Sequence, residues 1–415
     1  MPTHPSANTG SPAQAHSVHP SPSKKAVSGG LFLGACLLLI AFNLRPLFSS
    51  LSVLLPDVAA SLGMSGAVAG YVTTLPVVCL GLFATFAPGL ADRHGVERVL
   101  LGVLVLIGVG TALRAVDGVT ALFLGSAVAG AGIAMGNVLL PSVVKRDFPD
   151  KVPLMTGLFT MVLCGGAATA AALAVPLADI SGSWRFGLGF WALPAFAVAL
   201  LWLPHSLKSG SSAATRKLPG IKLLHDGLAW QVACFMGLQS ALAYCVLGWM
   251  APILRWRGLD GVTAGFYVSA SIMLQVVACL LLPPLAARFR SQSVVNAALA
   301  CLAAVALMGL VLAPVSWLPA MAVLQGIGQG GLFAMAMTVI ILRSPDPRVA
   351  ARLSGMSQAI GYLLAASGPM LVGMLYEATG AHAAAAWLFA GLGLAAMASG
   401  WGAGRPLFVR PRLEH

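Results

Sequence analysis

Charge is what this sequence has least of. Asp, Glu, Lys and Arg make up 9% of its 415 residues, against 58% hydrophobic. A soluble domain carries about a quarter charged residues, so a chain this poor in charge cannot cover a water-facing surface, and lipid must cover most of it. Acid is scarcer than base, 12 residues against 24, which leaves a net charge of +12. No acidic residue falls in the middle of an apolar run. All eight histidines (His4, His16, His19, His94, His205, His225, His382 and His415) lie in the tails or at and between the ends of runs. An intramembrane enzyme needs a nucleophile with a base, or a metal site, and these absences exclude it. Cys36, Cys79, Cys164, Cys234, Cys245, Cys279 and Cys301 sit in apolar stretches with no C-x-x-C and no neighbouring His. They read as small packing residues, not as disulfides or metal ligands. The phosphate loop G-x-x-x-x-G-K-[ST] is missing, which excludes an ATP-driven pump, and no cofactor is implied. The basic excess does not indicate nucleic acid, because the basic residues punctuate the apolar runs without aromatic interleaving. No segment between runs is large enough to be a signalling domain.

What is present is a series of apolar runs: 31–56, 66–91, 99–116, 119–144, 152–178, 186–203, 228–254, 261–283, 293–313, 317–342, 353–376 and 382–401. Each is long enough to cross a bilayer as a helix. The charge-free stretch 291–342 is too long for one span, and Pro314 and Pro319 mark the turn that divides it. Residues 1–29, rich in Ser, Pro, Ala and His, read as a disordered cytoplasmic tail. Lys24-Lys25 followed by Leu33-Gly34-Ala35-Cys36 mimics a secretory signal, but the apolar run continues to Pro56 and eleven more follow. With the N-terminus placed in the cytoplasm, 19 Lys and Arg fall inside and four outside (Arg114, Arg185, Arg255 and Arg257), while Arg45 lies within a span. This asymmetry predicts both termini in the cytoplasm. The expected organisation is a six-helix half over 30–203, a flexible basic linker over 204–227, a second six-helix half over 228–402 and a cytoplasmic tail over 403–415.

The halves repeat. Ala69-Gly70-Tyr71 recurs as Ala264-Gly265-Phe266, Leu90-Ala91-Asp92-Arg93 as Leu285-Ala286-Ala287-Arg288, Gly130 and Gly132 as Gly326 and Gly328, and Thr156-Gly157 as Ser354-Gly355. The offset stays between 195 and 198 residues. Parallel six-helix repeats of this kind resemble the two halves of major facilitator transporters, which implies a substrate site near mid-membrane between the halves. The expected fold is therefore an all-α membrane protein with twelve transmembrane helices in two six-helix pseudo-repeats.

Arg45 is the one charge midway along a span. A charge at that depth costs about 2.5–3.5 kcal/mol on insertion scales and defaults to a function facing an interior cavity. A structural Arg bonded to helix carbonyls is the blander alternative. Its planar fork suits a small carboxylate-like or linear anion, and Pro46 beside it loosens the helix. Without a titratable group in mid-span, the transport modes left are facilitated diffusion, exchange, or entry of a substrate with its own proton. Polar side chains four residues apart share a helix face: Tyr267, Ser271 and Gln275; Gln325, Gln329 and Phe333; Ser354, Gln358 and Tyr362. They read equally as cavity lining or as bonds between helices. The candidate substrate contacts are Arg45, Asn43, Asn137, Gln239, Tyr244, Trp249, Gln358 and Tyr362. Gly326-Ile327-Gly328-Gln329-Gly330-Gly331 fits a dinucleotide fingerprint, but no strand precedes it. Close helix approach explains its glycines better.

Asp92-Arg93-His94-Gly95 resembles the D-R-x-G core of the major facilitator signature. That resemblance implies a charge-paired gate at Asp92 and Arg93 in the loop after the second helix. Pro88 stands at the signature's opening Gly, and Val96-Glu97 replaces two basic residues. Asn43-Leu44-Arg45-Pro46, Gly136-Asn137-Val138-Leu139-Leu140-Pro141, Lys145-Arg146-Asp147-Phe148-Pro149, Trp230-Gln231, Gly237-Leu238-Gln239-Ser240 and Leu353-Ser354-Gly355-Met356 with Gln358 and Gly361-Tyr362 are similar to the cyanate permease and 2-nitroimidazole transporter family. The resemblance covers roughly 31–401. It implies a monomeric bacterial inner-membrane carrier of small molecules working by alternating access. A cyanate-like anion or small organic acid is the leading expectation. Export of neutral nitroheterocycles or drugs is the alternative.

Overall fold

The computed structural model describes residues 24–148, 152–208, 221–286, 288–345, 347–410 and 412–413. Among these, twelve helices are long and apolar enough to cross a bilayer. The first span consists of two helices, α1 (Lys24–Asn43) and α2 (Pro46–Leu62). α3 (Gly66–Phe83) runs through a short 3-10 turn into α4 (Ala87–His94), together forming the second. α5 (Val96–Leu113), α6 (Val119–Asp147) and α7 (Val152–Ser181) are the next three. The short α8 (Trp184–Gly189) leads into α9 (Ala192–Lys208), which completes the first six. The second six are α10 (Gly227–Trp256), α11 (Gly261–Ala286), α12 (Ser293–Leu312), α13 (Leu318–Leu342), α14 (Pro347–Thr379) and α15 (Ala384–Ala403). α1 starts at Lys24, inside the stretch expected to be tail. The rest of that tail, linker residues 209–220 and Ala287 lie outside the described residues.

Local chemistry sets the helix ends. Gly63 takes the left-handed conformation (φ 61°) that closes α2, and Ser65 caps α3 by accepting from the Val68 N–H. Asp226 does the same for α10 through Ala229, and its other oxygen accepts from the Arg410 N–H. Ile221 and Lys222 pair antiparallel with Leu413 and Arg412, so the end of the linker is stitched to the C-terminal tail. Pro314 and a 3-10 turn over Val315–Trp317 separate α12 from α13, where the prolines predicted the break. The face of the bundle where α1 starts and α15 ends is termed the terminal face, and the opposite one the distal face.

Close approach between helices explains the glycine-rich segments. A Cβ on Gly326 or Gly330 would collide with the backbone oxygens of Ser271 or Gln275, and one on Gly132 would come within 3.0 Å of the Val103 oxygen. These glycines let α13 lie against α11 and α6 against α5.

One of the arginines counted outside the membrane is buried: Arg114 is 0% exposed at the end of α5. Its Nη1 donates to the Leu47 carbonyl at 2.9 Å, while Nε and Nη2 have no partner. A buried charge with so few bonds costs stability, and a well-packed apolar replacement gains about 1–4 kcal/mol in comparable cases. Arg114→Met is therefore expected to raise the melting temperature of the purified protein. A lower melting temperature would show that the guanidinium holds α5 to α2 at net profit.

Candidate functional site

The first span breaks at Leu44–Arg45, where Arg45 leaves helical geometry (φ −120°, ψ −26°) and Pro46 opens α2. Proline is suited to this first helical position because it has no N–H to lose. The break places Arg45 at mid-span, on the wall of a cavity of about 400 Å³ between the two sets of six helices. The Arg45 Nη1 donates to the Tyr244 hydroxyl at 3.3 Å. Its guanidinium carbon lies 5.9 Å from the ring centres of both Phe48 and Tyr244, within range of cation–π attraction. No carboxylate pairs with Arg45 among the described residues, and no Asp, Glu or His lines the cavity.

The structure brings Asn137, Gln239, Tyr244, Gln358 and Tyr362 onto this same wall with Arg45. Tyr244 and Tyr362 meet edge to face at 6.3 Å. Gln239 is fully buried: its Nε2 donates to the Ser240 hydroxyl at 2.8 Å and to the Met236 carbonyl, and its Oε1 accepts from Gln329. The Gln358 amide donates to the Ser354 hydroxyl at 2.9 Å. The side chains of Asn137 and Gln275 also line the wall, with no side-chain hydrogen bond among the described residues. The polar ladders serve both readings. Ser271 donates to Gln325 at 2.6 Å, joining α11 to α13, while Gln275, Gln329, Phe333, Gln358 and Tyr362 face the cavity.

Two candidates do not reach it. Asn43 donates to the Leu39 carbonyl at 2.8 Å and stays buried at the end of α1. This is the local bond of a polar side chain to the carbonyl four residues earlier in its own helix. Trp249 donates through Nε1 to the Pro369 carbonyl at 3.0 Å, tying α10 to α14, and its ring belongs to a separate distal pocket. The residues expected at the gate lie at the end of α4, on the terminal face. Asp92 and Arg93 are exposed and enter no ion pair among the described residues. The charge pair on this face joins Glu97 to Arg146 at 2.6 Å, with Glu97 buried and Arg146 also holding Asp147 at 2.7 Å.

Val144, Phe159 and Met337, which line the cavity near the terminal ends of α6, α7 and α13, carry it toward the terminal face. On the distal side the two sets of helices are closed together. Arg255 grips Asp57 with two bonds of 2.5 and 2.9 Å. Glu377 accepts from the Ser65 hydroxyl at 2.8 Å and the Ala67 N–H at 2.5 Å. Gly373 packs on Gly66 and Gly70 so closely that a Cβ would come within 2.5 Å of the Gly66 oxygen. Neither carboxylate latch was foreseen, since their partners lie far apart in sequence.

Comparison with known proteins agrees with this architecture. The Major Facilitator Superfamily model matches residues 31–318. An uncharacterized transporter of Bacillus subtilis, YycB, is 38% identical over 94% of this chain and 97% of its own length. The Escherichia coli 2-nitroimidazole transporter is 35% identical over 84% of this chain and 89% of its own. The cyanate transport protein CynX of Escherichia coli is 29% identical over 83% and 90%. Among solved structures, a bacterial homolog of the human lysosomal transporter Spinster, inward-facing and occupied, superposes with a TM-score of 0.69 at 17% identity, over 92% of this chain and 95% of that one. A point mutant of the nucleoside transporter NupG superposes at 0.70 and 14% identity, over 89% and 99%. Twelve spans in two repeats around a central cavity, closed on one face and open toward the other, belong to a membrane transporter and not to an enzyme, and the chain is a member of the major facilitator superfamily, of the type of the 2-nitroimidazole and cyanate transporters.

Proposed function

We propose that the chain carries a small organic monoanion with a flat, apolar body, such as an aromatic carboxylate. It does so as a monomer in a bacterial inner membrane, with the terminal face in the cytoplasm and the halves 30–203 and 228–402 rocking about the central cavity. The observation that carries this reading is Arg45, a lone cation on an otherwise uncharged cavity wall. A buried charge without a counter-ion costs several kcal/mol, and an anion offsets that cost. Tyr244 steers the guanidinium from the opposite half. Asn137, Gln275 and Gln358 supply hydrogen bonds, while Phe159, Phe333 and Tyr362 pack on the body of the solute.

The lining favours an organic acid over cyanate. Phe159, Leu163, Leu247, Ile272, Phe333 and Tyr362 give the wall apolar surface. An aromatic body would cover that surface and a triatomic anion would not. The cavity wall also offers no titratable carboxylate or imidazole, which supports exchange, facilitated diffusion, or entry of the substrate with its own proton. The second reading, transport of a neutral nitroheterocycle, is favoured by the relative named a 2-nitroimidazole transporter.

The purified protein in liposomes, tested for counterflow of benzoate, cyanate and 2-nitroimidazole, decides between these readings. Saturable benzoate flux at least tenfold more efficient than that of cyanate is expected. Flux of 2-nitroimidazole with none of either anion would overturn the proposal.

A further inference from the structure

Between the two carboxylate latches the distal face holds a second cavity, of about 470 Å³, separate from the central one. Pro56 of α2 contributes from the first half. Trp249, Pro252 and Trp256 of α10, Tyr376 of α14 and His382 of the following turn contribute from the second. The His382 ring stacks on Tyr376 at 4.2 Å and lies 5.2 Å from Trp256 and 6.2 Å from Trp249. Aromatic faces therefore crowd one side of the cavity, an arrangement that suits another planar ring.

His382 gives this pocket its polarity. It is 6% exposed, and its Nδ1 has no hydrogen-bond partner among the described residues. A buried polar atom left unpaired costs about 1–3 kcal/mol, so a ligand that meets it once the ring turns toward the cavity recovers that cost. Burial holds the imidazole down to about 4, which keeps it uncharged near neutral pH. The other charges at the rim are spoken for. Arg255 is matched by Asp57, and Glu377 is held by Ser65 and Ala67. Among the described residues the pocket thus has no free cation, and the surplus carboxylate disfavours an anion. This is the reverse of the central cavity with its lone Arg45.

We propose that this distal vestibule is a binding site for a flat, uncharged heteroaromatic molecule that stacks on Trp256 and Tyr376 and bonds to His382 Nδ1, which a turn of the imidazole ring brings to the cavity. Its walls come from both halves, so it has this shape only while the distal face is closed. An occupant favours that state over the alternative and slows the carrier without entering the central cavity.

Nicotinamide is a suitable probe, since it is flat, uncharged and carries both donors and acceptors. Calorimetric titration of the purified wild-type protein is expected to show one saturable site. His382→Ala and Trp256→Leu should each weaken it at least tenfold, His382→Gln should recover part of the loss, and Arg45→Gln and Gln358→Ala should leave it unchanged. In liposomes, nicotinamide should lower the maximal rate of counterflow with little change in KM. Absence of saturable binding overturns the proposal, as does binding that follows Arg45 and Gln358 while ignoring His382 and Trp256. Variants that melt as the wild type does exclude misfolding as the cause of lost binding.

Discussion

Arg45→Gln is expected to lower kcat/KM for an organic monoanion such as benzoate by about 10- to 100-fold, and to abolish the protection against heating that benzoate gives the wild type. A hydrogen bond to a charged group is worth about 1.5–3 kcal/mol, and each 1.4 kcal/mol is a factor of ten. The two measurements should part company in the empty protein. Glutamine removes a charge that only the Tyr244 hydroxyl and two ring faces support, so the unliganded variant should melt higher than the wild type. Arg45→Lys should fall between them, since it keeps the charge but loses the planar fork. Wild-type flux of benzoate through Arg45→Gln would remove the anion reading. A neutral nitroheterocycle passing unhindered through the same variant, with no anion carried by either protein, would favour the second reading.

Gly373→Val should stop the cycle by another route. The added side chain would meet the Gly66 oxygen and the Gly70 Cα, within 2.5 and 2.7 Å of its Cβ, and helix backbones on both sides have nowhere to move. The distal face could then no longer close, and counterflow should fall at least tenfold in a protein that still folds. Cys164 and Cys279, both on the central cavity wall, are native reporters of the change. A membrane-impermeant thiol reagent applied from the distal side should reach them in Gly373→Val and not in the wild type. Gly102→Val, where a Cβ meets nothing within 4 Å, serves as the control and should behave as the wild type. Equal labelling of all three proteins would show that Gly373 does not govern closure.

The spans, their division into two repeats and the residues that share a helix face were legible because lipid imposes them one helix at a time. Apolar length marks a span, and a four-residue spacing marks a face, without knowledge of what lies opposite. Depth and partnership are set elsewhere. Trp249 follows Tyr244 by little more than a turn, yet it lies beyond the central cavity because α10 continues into the closed distal region. Asn43 precedes Arg45 by two residues, and the helix break between them turns its amide back onto Leu39. The Asp57–Arg255 and Glu377–Ser65 contacts join residues about 200 and 300 positions apart. Nothing in the local pattern of either residue tells a latch from a solvated loop charge. Arg114 shows the converse, since an arginine near the end of an apolar run looks like a loop charge until α2 and α6 cover it. Asp92 and Arg93 stood out because they match a motif, whereas the Glu97–Arg146 pair joins residues 49 positions apart and carries no such local mark.

The unpaired guanidinium of Arg45 also bears on the kinetics of the proposed cycle. In an occluded intermediate the cavity closes on both sides and loses its contact with bulk water. With an anion aboard, the closed cavity is neutral. Without one it encloses a bare positive charge, whose desolvation only a tyrosine hydroxyl and two ring faces offset. The loaded carrier would therefore reorient faster than the empty one, and swapping one anion for another across the membrane would outpace net movement. One arginine would both select the cargo and discourage the vehicle from travelling back without a load.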